Sequence, residues 1–300
     1  MAKLLDGKAC SKAIEAELED LIPTLRVTPT LALLLVGSNP DSKTYVRLKK
    51  SACTRVGITP QVHELSESVA FDELHALIEK LNADAAVHGL LLQLPLPAHL
   101  KSHEAELLET ISPFKDVDGL HSYHFARLTA QRTTEHTAGE KEELYLRPCT
   151  PAGCLELLAR NGIELEGKDV VVIGRGQLVG LPLSLMLLAA NATVTSCHSK
   201  TKNLKDKVQQ ADVVFVGTGQ PELVKGDWLA EGAVVVDVGI SYVDDDSCPK
   251  GYKILGDVDF AAASARASAI TPVPGGVGPM TVAMLLRNTV ECAKFAALTN

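Results

Sequence analysis

Residues 169–197 constrain the fold more than any other stretch of this chain. Asp169-Val-Val-Val-Ile173 is a short apolar run rich in β-branched residues, and Gly174-Arg-Gly-Gln-Leu-Val-Gly180 follows it. Leu181 to Ala190 then carries a helical apolar pattern, and Thr193-Val-Thr-Ser-Cys197 closes the stretch. The order is strand, glycine loop, helix, strand. Glycines at 174 and 176 let the backbone turn tightly and approach a ligand, so amides at the helix start can face a pyrophosphate, which the helix dipole favours. The third glycine falls at 180, with Val179 where the commonest dinucleotide fingerprint has glycine. Asp212-Val-Val-Phe-Val216 and Ala233-Val-Val-Val-Asp-Val238 are nearly unbroken apolar runs of the kind that form buried parallel strands.

The end of the second strand bears on which dinucleotide fits. A NAD site usually places an acidic residue there for the ribose 2′-hydroxyl, whereas this chain reads His198-Ser-Lys-Thr201. With Arg175 in the preceding loop, these residues suit a 2′-phosphate, so NADP is expected over NAD. Gly217-Thr218-Gly219 follows another predicted strand and allows close approach to the same ligand, and Asp237-Val-Gly-Ile240 follows the next.

Three hundred residues suggest two domains, and 46% hydrophobic with 22% charged residues is ordinary globular composition. A net charge of −8 argues against a nucleic-acid partner. The seven cysteines are odd in number and dispersed, with no metal-ligand spacing, which predicts a reducing compartment and no metal site. The N-terminus lacks a signal-peptide core and no apolar run reaches the length of a membrane span, so a cytoplasmic protein without a membrane partner is expected.

Residues 8–22 have helical spacing, closed by Pro23, and Thr30–Val36 reads as a buried strand. Asp41 or Ser42 can cap the next helix, which runs to Arg55 with Gly57 as its stop. On it Tyr45 and Lys49 are four residues apart and share a face, which is either a solvated helix side with the ring half buried or part of a ligand site. The helix leaves the carboxyl end of a buried strand, where open α/β sheets place their ligand crevices. The apolar run that includes Leu92, Gln93 and Leu94 carries one amide just before Pro95 and Pro97, and Gln93 either caps a neighbouring loop or points into the same crevice. Asp116-Val-Asp-Gly119 is turn chemistry with a structural role for Asp116, while Asp118 should emerge near the sheet's carboxyl edge. Residues 129–143 are polar and read as an exposed loop. Near the end, Thr271-Pro-Val-Pro-Gly-Gly-Val-Gly-Pro-Met-Thr281 is too rich in glycine and proline for regular structure until a helix over 282–297.

Tyr45-Val-Arg-Leu-Lys49, Leu92-Gln-Leu-Pro-Leu-Pro97, Lys115-Asp-Val-Asp-Gly119, Gly174-Arg175, Val179-Gly-Leu-Pro182 and Pro272-Val-Pro-Gly-Gly-Val-Gly-Pro-Met-Thr281 occur in this order over nearly the whole chain. Together they closely resemble the bifunctional methylenetetrahydrofolate dehydrogenase/methenyltetrahydrofolate cyclohydrolase family. The resemblance implies an α/β protein of two domains with a catalytic cleft between them. Residues 1–148, completed by 281–300, would form the folate-binding domain, and 149–280 a Rossmann-type NADP-binding domain.

The implied activity is NADP-dependent oxidation of 5,10-methylenetetrahydrofolate and hydrolysis of the methenyl product, in one-carbon metabolism and purine biosynthesis, by a homodimer. The resemblance makes Lys49 the central catalytic group, Tyr45 a stacking residue for folate, Gln93 the partner of the lysine and Asp118 a pterin ligand. Leu92, Leu94 and the loop residues Pro272, Val273, Pro274, Gly275 and Gly276 complete the folate set. Gly174, Arg175, Gly176, Val179, Gly180, His198, Ser199, Thr218, Gly219 and Ile240 form the expected nucleotide set. An amine acts as a base only when unprotonated, so Lys49 is expected to be a tuned base oriented by Gln93. The chain departs from the family pattern at Gly176, where serine is usual, at Gly217 and Ser241, where alanine and asparagine are more typical, and at His124 and Ala126, which replace asparagine and glycine. A dehydrogenase of the shikimate kind would share fold and coenzyme but would not need the terminal Pro-Gly-Gly loop.

Overall fold

The structure is a computed structural model that describes residues 2–130, 144–245, 247–248 and 251–299. Most of the polar 129–143 stretch therefore lies outside the described residues. In chain order the strands are β1 (Lys3–Leu4), β2 (Thr30–Val36), β3 (Thr59–Leu65), β4 (Gly89–Leu92), β5 (Asp169–Ile173), β6 (Thr193–Cys197), β7 (Val213–Val216), β8 (Val234–Asp237), β9 (Ser241–Asp244), β10 (Tyr252–Leu255) and β11 (Ala269–Ile270). The chain divides into two compact units. One holds chiefly residues 2–11 and 150–281, the other 12–127, 144–149 and 282–299.

In the second of these units β3, β2 and β4 form a parallel sheet in the order β3-β2-β4. Every residue of β2 and β4 is buried, which is why both read as unbroken apolar runs. One face packs Ala32, Leu34, Val36, Leu90 and Leu92 against Leu74, Ile78 and Leu81 of the helix Phe71–Ala83. The chain goes from β2 to β3 on one side and then to β4 on the other, so the strand order reverses between β2 and β4. The carboxyl ends of those two strands are the expected crevice of such a sheet.

The connecting helix Pro40–Val56 buries Ser42, Val46, Lys49, Ala52, Cys53 and Val56, a stripe spaced by threes and fours. Its cap is neither Asp41 nor Ser42. Asn39 accepts the N–H groups of both, because Pro40 occupies the first helical position and moves the cap to the residue before it. Gly57 ends the helix at φ 90°, as its sequence position suggests.

The other unit carries a six-stranded, wholly parallel sheet in the order β1-β11-β8-β7-β5-β6, together with the hairpin β9–β10. Its core includes Val171, Ile173, Val214, Val216, Val235 and Ile270. A limit at residue 149 does not anticipate β1: Lys3 and Leu4 pair with Ala269 and Ile270, so the first residues complete the sheet of the later part of the chain. The terminal helix spans Val277–Thr299 rather than 282–297. Pro279 sits in its first turn, where a missing N–H costs nothing. The irregular segment thus shortens to 272–276.

His124, one of the departures from the family pattern, is fully buried. Its Nε2 donates to the Pro113 carbonyl at 2.9 Å and its Nδ1 accepts from the Leu146 N–H at 3.3 Å, which fixes the neutral tautomer. Burial lowers its pKa to about 4, the Pro113 carbonyl opposing and His121 adding to the shift. The folded state therefore binds fewer protons than the unfolded chain between pH 6.5 and about 4. The stability due to neutral His124 is fully present above 6.5 and is lost as pH falls through the folded value, a difference of about 3 kcal/mol. In denaturant titrations from pH 8 to pH 4, His124→Asn is expected to lose less stability on acidification than the wild type. Parallel curves for the two proteins would show that His124 does not carry the effect.

Candidate active site

The helix Pro40–Val56 and strand β4 bring Lys49 and Gln93 together. Gln93 continues the β4 ladder by donating its N–H to the Leu34 carbonyl at 2.9 Å, which sets the side chain at the carboxyl end of the sheet. Its Nε2 donates to the Leu94 carbonyl at 2.7 Å, so its Oε1 is the atom left to face Lys49 and accepts from Nζ at 3.0 Å. Lys49 is only 9% exposed, not a solvated residue on the outer side of the helix. Among the described residues no carboxylate forms an ion pair with it. Tyr45, one turn earlier, is half-buried, and burial followed by the nearby Asp41 raises its phenol above the ordinary value.

Asp118 reaches the same sheet by another route. Asp116 forms a parallel bridge with Leu90 of β4, adding a pair beyond that strand, and Asp118 follows two residues later at intermediate burial. The turn is held by the buried Asp116, whose carboxylate accepts the N–H of Gly119 at 3.2 Å and of His121 at 2.7 Å. Burial pushes the Asp116 carboxyl up to about 7, against the His121 N–H and with a contribution from Asp118. Its role is that of a turn-former, as Asp-Val-Asp-Gly suggests.

In the six-stranded sheet the expected nucleotide residues line up along one edge. Adjacent parallel strands β6, β5, β7, β8 and β11 lead in that order into His198–Thr201, Gly174–Gly180, Gly217–Gly219, Val238–Ile240 and Thr271–Gly276. The Gly174 N–H donates to the Cys197 carbonyl, the Gly217 N–H to that of Ile173 and the Val238 N–H to that of Val216, so neighbouring loops start side by side. The order reverses between β5 and β7, at the glycine loop itself.

Gly174 has φ 117°, and a Cβ on it would stand 2.3 Å from the Gly217 carbonyl oxygen. On Gly180 it would stand 2.1 Å from the Gly174 carbonyl oxygen. The third glycine at 180, one place beyond the commonest fingerprint, is therefore where the helix closes on the loop. Gly176 and Gly219 would place a Cβ within 4 Å of nothing, which leaves bare backbone for a ligand. Arg175 and Ser199 are exposed beside this cradle, and the turn after β6 is tied by the His198 N–H donating to Thr201 Oγ1 at 2.8 Å. These features fit a dinucleotide: the loop has bare backbone amides at a helix start for a pyrophosphate, and Arg175 puts an exposed cation in the same loop.

Two carboxylates that the sequence reading passed over brace this edge. Asp257 Oδ2 accepts from the Thr218 N–H at 2.5 Å, from Thr218 Oγ1 at 3.0 Å and from the Gly219 N–H at 2.9 Å. Asp237 accepts the N–H groups of Gly239, Asp257 and Val258. Burial pushes Asp237 up to about 6 against the Asp257 and Val258 N–H donors. The available signal was glycine beside aspartate: a Cβ at Gly239 would meet the Asp257 carboxylate at 2.2 Å, and at Gly256 the Asp237 carboxylate at 2.0 Å.

The terminal loop, Pro272–Gly276, continues from β11 in this unit. A Cβ on Gly7 would lie 1.7 Å from the Gly276 carbonyl oxygen, so Gly7 is obligatory for that packing. Among the described residues no group of three His, Cys, Asp or Glu could hold a metal ion, and no helix is long and apolar enough to cross a membrane.

A parallel sheet with this loop edge, and a second sheet ending in a Lys–Gln pair, define a dinucleotide-dependent α/β enzyme. Residues 5–118 match the family model described as tetrahydrofolate dehydrogenase/cyclohydrolase, catalytic domain, and residues 148–297 match its NAD(P)-binding domain. The bifunctional protein FolD 2 of Geobacter sulfurreducens is 48% identical over 303 residues, covering 100% of both chains. The crystal structure of the bifunctional FolD methylenetetrahydrofolate dehydrogenase/cyclohydrolase from Campylobacter jejuni superposes with a TM-score of 0.88 at 46% identity, over 98% of this chain and 99% of that one. The Trypanosoma brucei N5,N10-methylenetetrahydrofolate dehydrogenase-cyclohydrolase, complexed with NADP cofactor and inhibitor, gives 0.91 at 40% identity over 99% and 98%. The chain belongs to the tetrahydrofolate dehydrogenase/cyclohydrolase family, and the shikimate-type alternative falls away.

Proposed function

We propose that the two activities of this family share one folate site in this chain, organised around Lys49 and Gln93. The enzyme oxidises 5,10-methylenetetrahydrofolate to the 5,10-methenyl cation with NADP and hydrolyses that cation to 10-formyltetrahydrofolate. The observation that carries the reading is the buried Lys49, hydrogen-bonded to Gln93 Oε1 at 3.0 Å. NADP, when bound, supplies the hydride acceptor for the first reaction.

Tyr45 offers a half-buried ring for the flat pterin, Leu92 and Leu94 the main chain at the end of β4, and Asp118 a carboxylate for its ring nitrogens. Orientation is the protein's main contribution to the oxidation. In the hydrolysis, water adds its oxygen to the cationic methenyl carbon and gives up a proton. Lys49 takes that proton while Gln93 keeps the amine in place; the bond from that carbon to one folate nitrogen then breaks, that nitrogen keeping the electron pair and taking up the hydroxyl proton as the carbonyl forms, which leaves the formyl group on the other. Gly174, Arg175, Gly176, Val179, Gly180, His198, Ser199, Thr218, Gly219 and Ile240 hold the coenzyme. Arg175 and the His198–Thr201 turn select the 2′-phosphate.

The same reading makes the protein a cytoplasmic homodimer that supplies formyl groups for one-carbon metabolism, including purine biosynthesis. Purified protein is expected to form and then consume the methenyl absorbance with NADP, and to do so poorly with NAD. Absence of methenyl formation with either coenzyme would overturn the assignment.

A further inference from the structure

The main chain that carries Asp118 is gripped from a distant part of the sequence. Asn288, half-buried on the helix Val277–Thr299, directs one amide nitrogen at the Val117 carbonyl at 2.8 Å, the Arg147 carbonyl at 3.0 Å and the Cys149 sulfur at 3.6 Å. An NH₂ group has two hydrogens, so the two carbonyls take them and the sulfur lies alongside.

The two bridged segments are already pressed together. The Cys149 N–H donates to the Asp118 carbonyl at 3.3 Å, and its Sγ–H to the Val117 carbonyl at 3.2 Å. Gly119, at φ 70°, lies so close to Arg147 and Pro148 that a Cβ would meet their backbone at 2.8 Å. Asp116 holds the far side of the turn through Gly119 and His121. Beside the Cys149 thiol, Asn288 links the carbonyl just before Asp118 to the 147–149 segment behind it, and does so from a separate helix.

We propose that Asn288 is a positioning residue for folate binding, acting through Asp118 by fixing the Val117 carbonyl against the 147–149 segment. This rests on the reading of Asp118 as a substrate ligand. Asn288→Asp keeps the shape but replaces the donor with oxygen facing two carbonyls. The KM for 5,10-methylenetetrahydrofolate is then expected to rise about tenfold, with the KM for NADP nearly unchanged.

A merely structural role would not produce the coupling expected with Asp118→Asn. In that background Asn288→Asp should add less than about a further twofold to the folate KM. Effects that multiply fully would overturn the proposal, as would an unchanged folate KM in Asn288→Asp when Asp118→Asn is impaired. An unchanged folate KM in Asp118→Asn would instead sink the reading of Asp118 itself. Should Asn288→Asp fail to fold, judged by lost NADP binding, Asn288→Ser keeps one donor and is expected to show a smaller rise in folate KM, coupled in the same way. An unaffected or uncoupled serine variant would also overturn the proposal.

Discussion

Lys49→Ala is expected to lower cyclohydrolase turnover by at least about a hundredfold, the usual scale for removing a positioned general base. Alanine is the best helix former, and the buried stripe keeps Val46, Ala52 and Cys53, so the helix Pro40–Val56 should persist and the melting temperature should change little. The measurement is the decay of methenyl absorbance in purified variant and wild type, with a thermal melt of each. Gln93→Ala should give a smaller loss, because the amine stays while its acceptor goes. Retention of full hydrolysis in Lys49→Ala would mean that another group activates the water.

Gly174→Ala should damage both stability and coenzyme binding. At φ 117° any Cβ is strained, and here it would run into the Gly217 carbonyl oxygen at 2.3 Å, a backbone atom that cannot swing aside. Strain and overpacking together suggest a loss of about 3 kcal/mol. For a protein of this size that corresponds to a fall in melting temperature of roughly 5–10 °C. The KM for NADP should rise at least about tenfold as the loop amides are displaced. Gly176→Ala is the control, since its Cβ would meet nothing within 4 Å. It should melt like the wild type, and the same room explains how serine can occupy this position in the family. Equal melting temperatures for the 174 and 176 variants would show that the contact with Gly217 is not rigid.

The parts of the fold legible in the sequence are those with a local cause. The strands β2, β5, β7 and β8 follow from runs of aliphatic and β-branched residues, the glycine loop from its spacing, and the helix stop at Gly57 from its need for φ above zero. The two-residue strands β1 and β11 have no period to detect, and β1 depends on a partner hundreds of residues later. Tyr45 and Lys49 could be placed on one helix face, but spacing alone does not say whether that face is buried. Their significance came from the family motif.

Asn39 was missed as the cap because two good capping residues follow it and only Pro40 gives it away. Asp237 and Asp257 were missed because most of their partners are backbone amides of other loops. Asn288 was illegible for a like reason, its contact with Val117 spanning 171 residues.

The close approach of Gly180 to Gly174 and of Gly174 to Gly217 also bears on the thermodynamics of ligand capture. Contacts of about 2 Å to a would-be Cβ leave the loop one arrangement, imposed by its own backbone before any ligand arrives. The ordering entropy is spent when the chain folds, so little remains to oppose association. Coenzyme uptake by such a loop should proceed without a slow rearrangement, its rate set by encounter and its heat by newly made hydrogen bonds.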